Sequence, residues 1–147
     1  MNKIVVIICF LVTSIVSAQD WKTSLDDAKT EAAKETKNII LVFSGSDWCA
    51  PCIKLDRSIW QSDAFKKASS ENWILLKADF PKKKANALSE EQTKINQELA
   101  EKYNPEGSFP KVVILNNEGK VLGIMGYEKI TAEEYIVKAL EISTQKN

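Results

Sequence analysis

Histidine is absent from this 147-residue chain. Its absence excludes catalytic triads and dyads that use an imidazole base, as well as metal sites that use histidine ligands. Cysteine is scarce, with three residues, and the 20 basic residues are balanced by 20 acidic ones. A chain without excess positive charge is not expected to bind nucleic acid. Any chemistry must therefore use thiols, carboxylates, lysines or tyrosines.

Long apolar runs are also lacking, apart from one at the N-terminus that covers residues 4–12. This run is shorter than the roughly 20 residues of a membrane-spanning helix. A basic residue precedes it and small residues follow, so residues 1–18 are predicted to be a signal peptide cleaved near Ala18–Gln19. An uncleaved N-terminal anchor is the alternative. Residues 19–147 are then one exported domain, periplasmic or secreted, in a compartment where disulfides form.

Only two of the three cysteines remain after this cleavage, because Cys9 is lost with the signal peptide. Cys49 and Cys52 form a C-x-x-C pair, which serves as half of a zinc site, as a structural staple or as a redox couple. No other cysteine or histidine is left to complete a zinc site, so no metal is expected. A bridge across so short a loop removes little entropy from the unfolded chain. A redox couple is therefore favoured over a staple.

The apolar periodicity predicts the element order helix, strand, helix, strand, helix, strand, strand, helix. The predicted helices cover 20–37, 50–67, 89–104 and the segment after Thr131, and the predicted strands cover 39–43, 73–79, 111–115 and 120–125. Capping boxes are predicted at Ser89 with Gln92 and at Thr131 with Glu134. This order indicates an α/β fold, with a central mixed β-sheet flanked by helices on both faces.

The cysteine pair lies at the turn from the first predicted strand into a helix. The unpaired N–H groups and the positive dipole end of that helix favour the ionised form of Cys49. Cys52, one turn further along, is expected to be more buried. Cys49 is therefore predicted to attack a substrate disulfide and Cys52 to resolve the mixed disulfide. Trp48 offers an apolar flank to the substrate.

Residues 48–52, Trp-Cys-Ala-Pro-Cys, resemble the Trp-Cys-Gly-Pro-Cys motif of the thioredoxin superfamily. Phe109–Pro110, just before a strand, is similar to the cis-proline of that family, and Tyr127 lies in what looks like the loop that borders its cysteine groove. The resemblance covers residues 20–147 and is greatest to exported, single-domain bacterial members. It implies a thioredoxin fold in which the cis-proline faces the cysteines, and substrate contacts by Phe109, Pro110 and Tyr127.

One departure from the family concerns the strand before the motif. Thioredoxins commonly carry a buried aspartate there, which assists deprotonation of the second cysteine. This chain has only Val42 or Phe43 at that place. Deprotonation of Cys52 is then left to water, to Lys77 on the neighbouring strand or to Asp47 beside the motif.

The sequence thus predicts an exported, monomeric thiol:disulfide oxidoreductase that acts on protein disulfides, preferably as a reductase. No cofactor site is visible, so electrons are expected from a membrane partner. Two alternatives stay open. One is a disulfide-forming oxidant or isomerase, and the other is a thioredoxin-fold binding or chaperone-like module whose disulfide is incidental.

Overall fold

Residues 19–144 are described by the computed structural model, and the predicted signal peptide lies outside them. They form a five-stranded sheet with the strand order β1-β3-β2-β4-β5. The strands are β1 (Trp21–Lys22), β2 (Asn38–Ser44), β3 (Trp73–Asp79), β4 (Lys111–Leu115) and β5 (Val121–Met125). Strands β1, β3 and β2 are parallel, whereas β4 is antiparallel to both β2 and β5.

Helices cover both faces of the sheet. They are α1 (Leu25–Glu35), α2 (Ala50–Leu55), α3 (Asp63–Asn72), α4 (Glu90–Tyr103) and α5 (Ala132–Ser143). A π-helical turn (Asp56–Trp60) continues α2, and a 3-10 turn (Lys84–Asn86) precedes α4. None of the helices formed by residues 19–144 is long and apolar enough to cross a membrane.

Strand β2 is the centre of the core, between β3 and β4. Each residue from Ile39 to Phe43 is at most 1% exposed. Alternate side chains enter two clusters, so that Val42 packs with α2, α3 and α5 while Phe43 packs with α1 and α4. Burial on both faces explains why this strand is an unbroken apolar run rather than an alternating one.

The N-terminal helix was predicted to begin too early. The helix begins only at Leu25 rather than at residue 20, because Trp21 pairs with β3 at the sheet edge. Ser24 is the cap, and its Oγ accepts the Asp27 N–H at 3.4 Å. Trp21 packs edge-on against Trp60, with ring centroids 5.9 Å apart. Trp21 is therefore in a strand, because it pairs with β3 and packs against Trp60, although its spacing from the next apolar residues is that of a helix.

The single helix predicted over residues 50–67 is also wrong, because two helices occupy this segment. The π-turn ends at Trp60, and Ser62 caps α3 by accepting the Phe65 N–H at 3.1 Å. The break lets Trp60 and Phe65 pack together in the core, with ring centroids 4.6 Å apart. The apolar pattern of the segment does not reveal this interruption.

The two predicted capping boxes differ in outcome. Thr131 and Glu134 form the complete box, in which each side chain accepts the backbone N–H of the other residue. Ser89 caps α4 and accepts the Gln92 N–H at 3.1 Å. The Gln92 side chain, however, donates to the carbonyl of Thr23 at 3.0 Å, so this box is only half formed.

Candidate active site

The disulfide lies where β2 ends and α2 begins. Cys49 and Cys52 are bonded, with Cα atoms 5.2 Å apart. Cys49 is the N-cap of α2, and its Sγ accepts the Cys52 N–H at 3.3 Å. The Sγ of Cys52 accepts the Gly45 N–H at 3.5 Å. Each sulfur therefore has a backbone donor, and such donors favour a thiolate over a thiol once the disulfide is reduced.

Both cysteines are largely covered in this oxidised state. Cys49 is 5% exposed and Cys52 is 3% exposed, a smaller difference than expected. The position of Cys49 at the helix N-cap, rather than its exposure, distinguishes the two residues.

Trp48 forms a fixed apolar wall beside the disulfide. Its side chain is 39% exposed, and its Nε1–H donates to the carbonyl of Phe80 at 2.7 Å. Phe109 meets the indole edge-on, with ring centroids 5.6 Å apart, and the Lys82 ammonium lies 3.9 Å from the ring centroid. These contacts hold the indole in one orientation.

Phe109–Pro110 is a cis peptide bond, as the resemblance implied. In the antiparallel pairing of β4 with β2, Lys111 lies opposite Phe43. Pro110 therefore lies at the carboxyl end of β2, where the cysteine-containing turn begins. The contact between Phe109 and Trp48 joins the cis-proline segment to that turn.

Tyr127 is half-buried and packs partly against the cluster of α2, α3 and α5. The preceding Gly126 lies beside the cis-proline, since a Cβ on it would be 3.7 Å from the Pro110 carbonyl oxygen. The Tyr135 hydroxyl donates to the Gly126 carbonyl at 3.1 Å. This segment thus borders Pro110, while a contact of Tyr127 with substrate stays a prediction.

Asp47 anchors a loop. Its carboxylate accepts the backbone N–H groups of Lys82 and Lys83 at 2.9 and 3.0 Å and the Asn86 side-chain amide at 2.9 Å. The Lys82 N–H first, and then the Asn86 amide, lower the pKa of Asp47 below its ordinary value. A carboxylate with a lowered pKa is a weaker proton acceptor. These contacts bind the Asp47 carboxylate to the loop that follows β3, and a role of Asp47 in deprotonating Cys52 stays a prediction.

Lys77 lies on the sheet strand next to β2, paired in register with Val42. Its ammonium is 3.8 Å from the Asp56 carboxylate and 4.5 Å from the centroid of the Trp21 ring. The Asp56 N–H in turn bonds to the Cys52 carbonyl. This ion pair therefore adjoins the helical turn that begins at Cys52, and Lys77 is retained as a candidate.

The residues that hold the cis-proline loop are not among those predicted from the sequence. Asn104 is 2% exposed and bonds twice to Ser108, since its Oδ1 accepts the Ser108 N–H and its Nδ2 donates to the carbonyl, both at 2.9 Å. Lys111 pairs with Glu106 at 2.5 Å, and this hydrogen bond lowers the Glu106 pKa. The only sequence signal was the turn at Gly107, which has a φ of 69°.

Gly45 is required by the position of Trp48. A Cβ on residue 45 would lie 2.7 Å from the indole Nε1, which is closer than packed atoms approach. We expect Gly45→Ala to lower the free energy of unfolding by about 1 to 3 kcal/mol, since the crowded indole must shift. Urea denaturation measures this loss.

The matched control is the same alanine in a Trp48→Ala background, where the crowded ring is gone. There the loss should disappear or become a slight gain, because alanine restricts the unfolded chain. An equal loss in both backgrounds would show that Trp48 is not the cause.

The family model described as Thioredoxin-like matches residues 20–117. The disulfide bond reductase DsbH of Chlamydia pneumoniae is 39% identical over 118 residues, which span 80% of this chain and 69% of that protein. A solved structure of a DsbH oxidoreductase has a TM-score of 0.80 at 35% identity and covers 90% of each chain.

The chain belongs to the thioredoxin-like family. The solution structure of a thioredoxin from Thermus thermophilus is similar in fold alone, with a TM-score of 0.62 at 12% identity, covering 87% of this chain and 89% of that one. The predicted thioredoxin fold, a mixed sheet with helices on both faces, is confirmed.

Proposed function

We propose that this protein reduces disulfide bonds in other proteins through Cys49 and Cys52. It is a thiol:disulfide oxidoreductase of the thioredoxin-like family. One observation carries the assignment of the site, namely the Cys49–Cys52 disulfide at a helix N-cap whose turn contacts the cis-proline segment. The name of the relative from Chlamydia pneumoniae, a disulfide bond reductase, supports the direction of the reaction.

The reaction begins from the reduced pair. The Cys49 thiolate attacks one sulfur of a substrate disulfide, forms a mixed disulfide and displaces the other substrate sulfur as a thiolate. The Cys52 thiol loses its proton and attacks the Cys49 sulfur, which closes the protein disulfide and releases the second substrate thiol. Two electrons pass from the protein to the substrate. Water takes the Cys52 proton, and the Lys77 ammonium, paired with Asp56 beside the helical turn that begins at Cys52, is the candidate for stabilising the resulting charge.

The side chains around the disulfide contact the substrate. Trp48 presents 39% of its surface to solvent and lies against Phe109. An extended substrate segment that crosses Cys49 would meet this aromatic wall on one side and the Pro110 backbone on the other. Tyr127 would line the far side of Pro110, because Gly126 borders that proline.

The compartment and the partners follow from the same proposal. Residues 1–18 direct export and are removed near Ala18–Gln19, so the mature protein works outside the cytoplasm. As a separate part of the proposal, it acts as a monomer. Each turnover consumes two electrons and leaves the Cys49–Cys52 disulfide. A membrane-bound thiol donor resupplies those electrons, because exported proteins lie beyond the cytosolic reductants.

The direction is tested by equilibrating the protein with reduced and oxidised glutathione and counting free thiols by alkylation and mass spectrometry. A reductase should have a potential near the thioredoxin value of about −270 mV, so that reduced Cys49 and Cys52 give up electrons readily. A potential near about −120 mV, as in a strong oxidant, would contradict the reductase assignment. A potential near about −180 mV would favour an isomerase instead.

A further inference from the structure

Three consecutive lysines, Lys82 to Lys84, lie in the loop that follows β3. All three are exposed. The ion pairs found among residues 19–144 include none of them. Positive charge is thus concentrated here in a chain whose formal net charge is zero. We call residues 81–87 the lysine loop.

The lysine loop is fastened to the turn that carries the cysteines. Asp47, two residues before Cys49, accepts hydrogen bonds from the N–H groups of Lys82 and Lys83 and from the Asn86 amide. These bonds join positions 35 to 39 residues apart in sequence. The loop backbone therefore has a defined position next to the active-site turn.

A second tie lies at the end of β3. Ser46 donates both its N–H and its hydroxyl to the Asp79 carboxylate, at 3.0 and 2.6 Å. The Phe80 N–H donates to the Ser44 carbonyl at 2.8 Å. The carboxylates of Asp47 and Asp79 are thus bonded to the chain itself, although their charges still offset part of the lysine charge.

Lys82 also has an aromatic partner. Its ammonium lies 3.9 Å from the centroid of the Trp48 ring, and Trp48 adjoins Cys49. A cation–π contact holds the ammonium without neutralising its charge. A polypeptide that reaches Cys49 over Trp48 therefore meets this ammonium, with those of Lys83 and Lys84 following in the same loop.

We propose that the lysine loop docks an acidic segment of the protein partner whose disulfide reacts at Cys49. This inference rests on the proposed function and names the chemistry of its partners. Carboxylates near the partner disulfide would be attracted by the ammonium groups during encounter and held while the sulfurs react. Complementary charge of this kind acts mainly on association rates, by about 10-fold to 10³-fold at low ionic strength.

The test compares the unmodified protein with Lys83→Glu/Lys84→Glu. This variant keeps Lys82 on Trp48 and so leaves the wall of the site unchanged. The matched control is Lys34→Glu/Lys120→Glu, which changes the charge equally at two exposed lysines. Lys34 lies in the last turn of α1 and Lys120 in the turn after β4, both at the end of β2 remote from the cysteines.

Each protein is reduced beforehand and mixed with a disulfide in a single turnover, so that no electron donor enters the measurement. Two cystine peptides are used that differ only in having glutamates or lysines beside the disulfide. Hydroxyethyl disulfide, which is small and uncharged, is the third substrate. Second-order rate constants are measured at low ionic strength and again at about 1 M salt, where charge screening extends over only about 3 Å.

We expect Lys83→Glu/Lys84→Glu to react about tenfold more slowly with the glutamate peptide and faster with the lysine peptide at low salt. The control variant should change neither rate more than about twofold, and high salt should remove the difference. An equal decrease in the rate constants for both peptides, or the same decrease in the control variant, would overturn docking by charge. Binding to phosphatidylserine vesicles that disappears in this variant would assign the loop to a membrane surface and also overturn the proposal.

Hydroxyethyl disulfide separates this proposal from the function on which it rests. If the unmodified protein fails to reduce it, the oxidoreductase assignment of Cys49 fails. If the protein reduces it normally but shows no preference between the peptides, only the docking proposal fails. Circular dichroism checks the fold of each variant. Should the charge reversal prevent folding, Lys83→Gln/Lys84→Gln replaces it, with a smaller loss in the same direction expected.

Discussion

Cys49→Ser is expected to abolish catalysis of insulin reduction, leaving only the rate that dithiothreitol gives alone. Serine carries no thiolate, so the first attack on a substrate disulfide cannot occur. The assay follows the turbidity of the insulin B chain as it precipitates, with dithiothreitol as the electron source. Cys52→Ser should also lose turnover, because the mixed disulfide formed by Cys49 is no longer resolved within the protein.

The matched control for these serine variants is Ser58→Ala, an exposed position in the π-turn beyond the cysteines. Its hydroxyl bonds only to the Lys54 carbonyl, at 2.8 Å, so insulin reduction should be unchanged. Full activity in Cys49→Ser would refute the role of this residue as nucleophile. No activity in the unmodified protein would favour the alternative of a binding or chaperone-like module.

Trp60→Ala should produce the largest loss of stability of any single substitution considered. Trp60 is 2% exposed, and its ring meets those of Phe65, Tyr135 and Trp21 at centroid distances of 4.6, 5.5 and 5.9 Å. Truncation of a buried tryptophan to alanine lowers the free energy of unfolding by about 3–5 kcal/mol. Domains of this size are stable by only about 5–15 kcal/mol, so the urea midpoint should fall by about 2 M or the protein should be partly unfolded in water.

The control for this loss is Val137→Ala on α5, where the side chain is 53% exposed. An exposed substitution of this kind changes the free energy of unfolding by about 0.5 kcal/mol or less. If Trp60→Ala and Val137→Ala had similar urea midpoints, Trp60 would not be the centre of an aromatic cluster that holds α2, α3 and α5 on the sheet.

The parts of the fold that sequence predicted best are those with strong local signals. Strands β3 and β4 have the predicted bounds, and β2 extends the predicted run by one residue at each end. Short apolar runs such as residues 39–43 and 112–115, bounded by polar or turn residues, favour strands that are buried on both faces. Cys49 and Cys52 were likewise placed correctly at the strand-to-helix turn, since glycine and aspartate before them interrupt the apolar run.

The parts that sequence did not predict depend on contacts between distant segments. Trp21 belongs to a strand only because β3 is beside it, and Ser62 interrupts a helix so that aromatic rings can meet. The anchoring of the lysine loop by Asp47 joins residues 35 or more positions apart. Asn104 has no motif of its own, and its role is visible only from its bonds to Ser108.

The central claim is that Cys49 attacks substrate disulfides and Cys52 resolves the intermediate. The most direct test is mass spectrometry of the reduced Cys52→Ser variant after it is mixed with the cystine peptide that carries glutamates beside its disulfide. The account predicts a covalent adduct whose proteolytic fragments place the peptide on Cys49, and which dithiothreitol releases. The absence of an adduct with Cys52→Ser, together with a stable adduct on Cys52 in the Cys49→Ser variant, would contradict it.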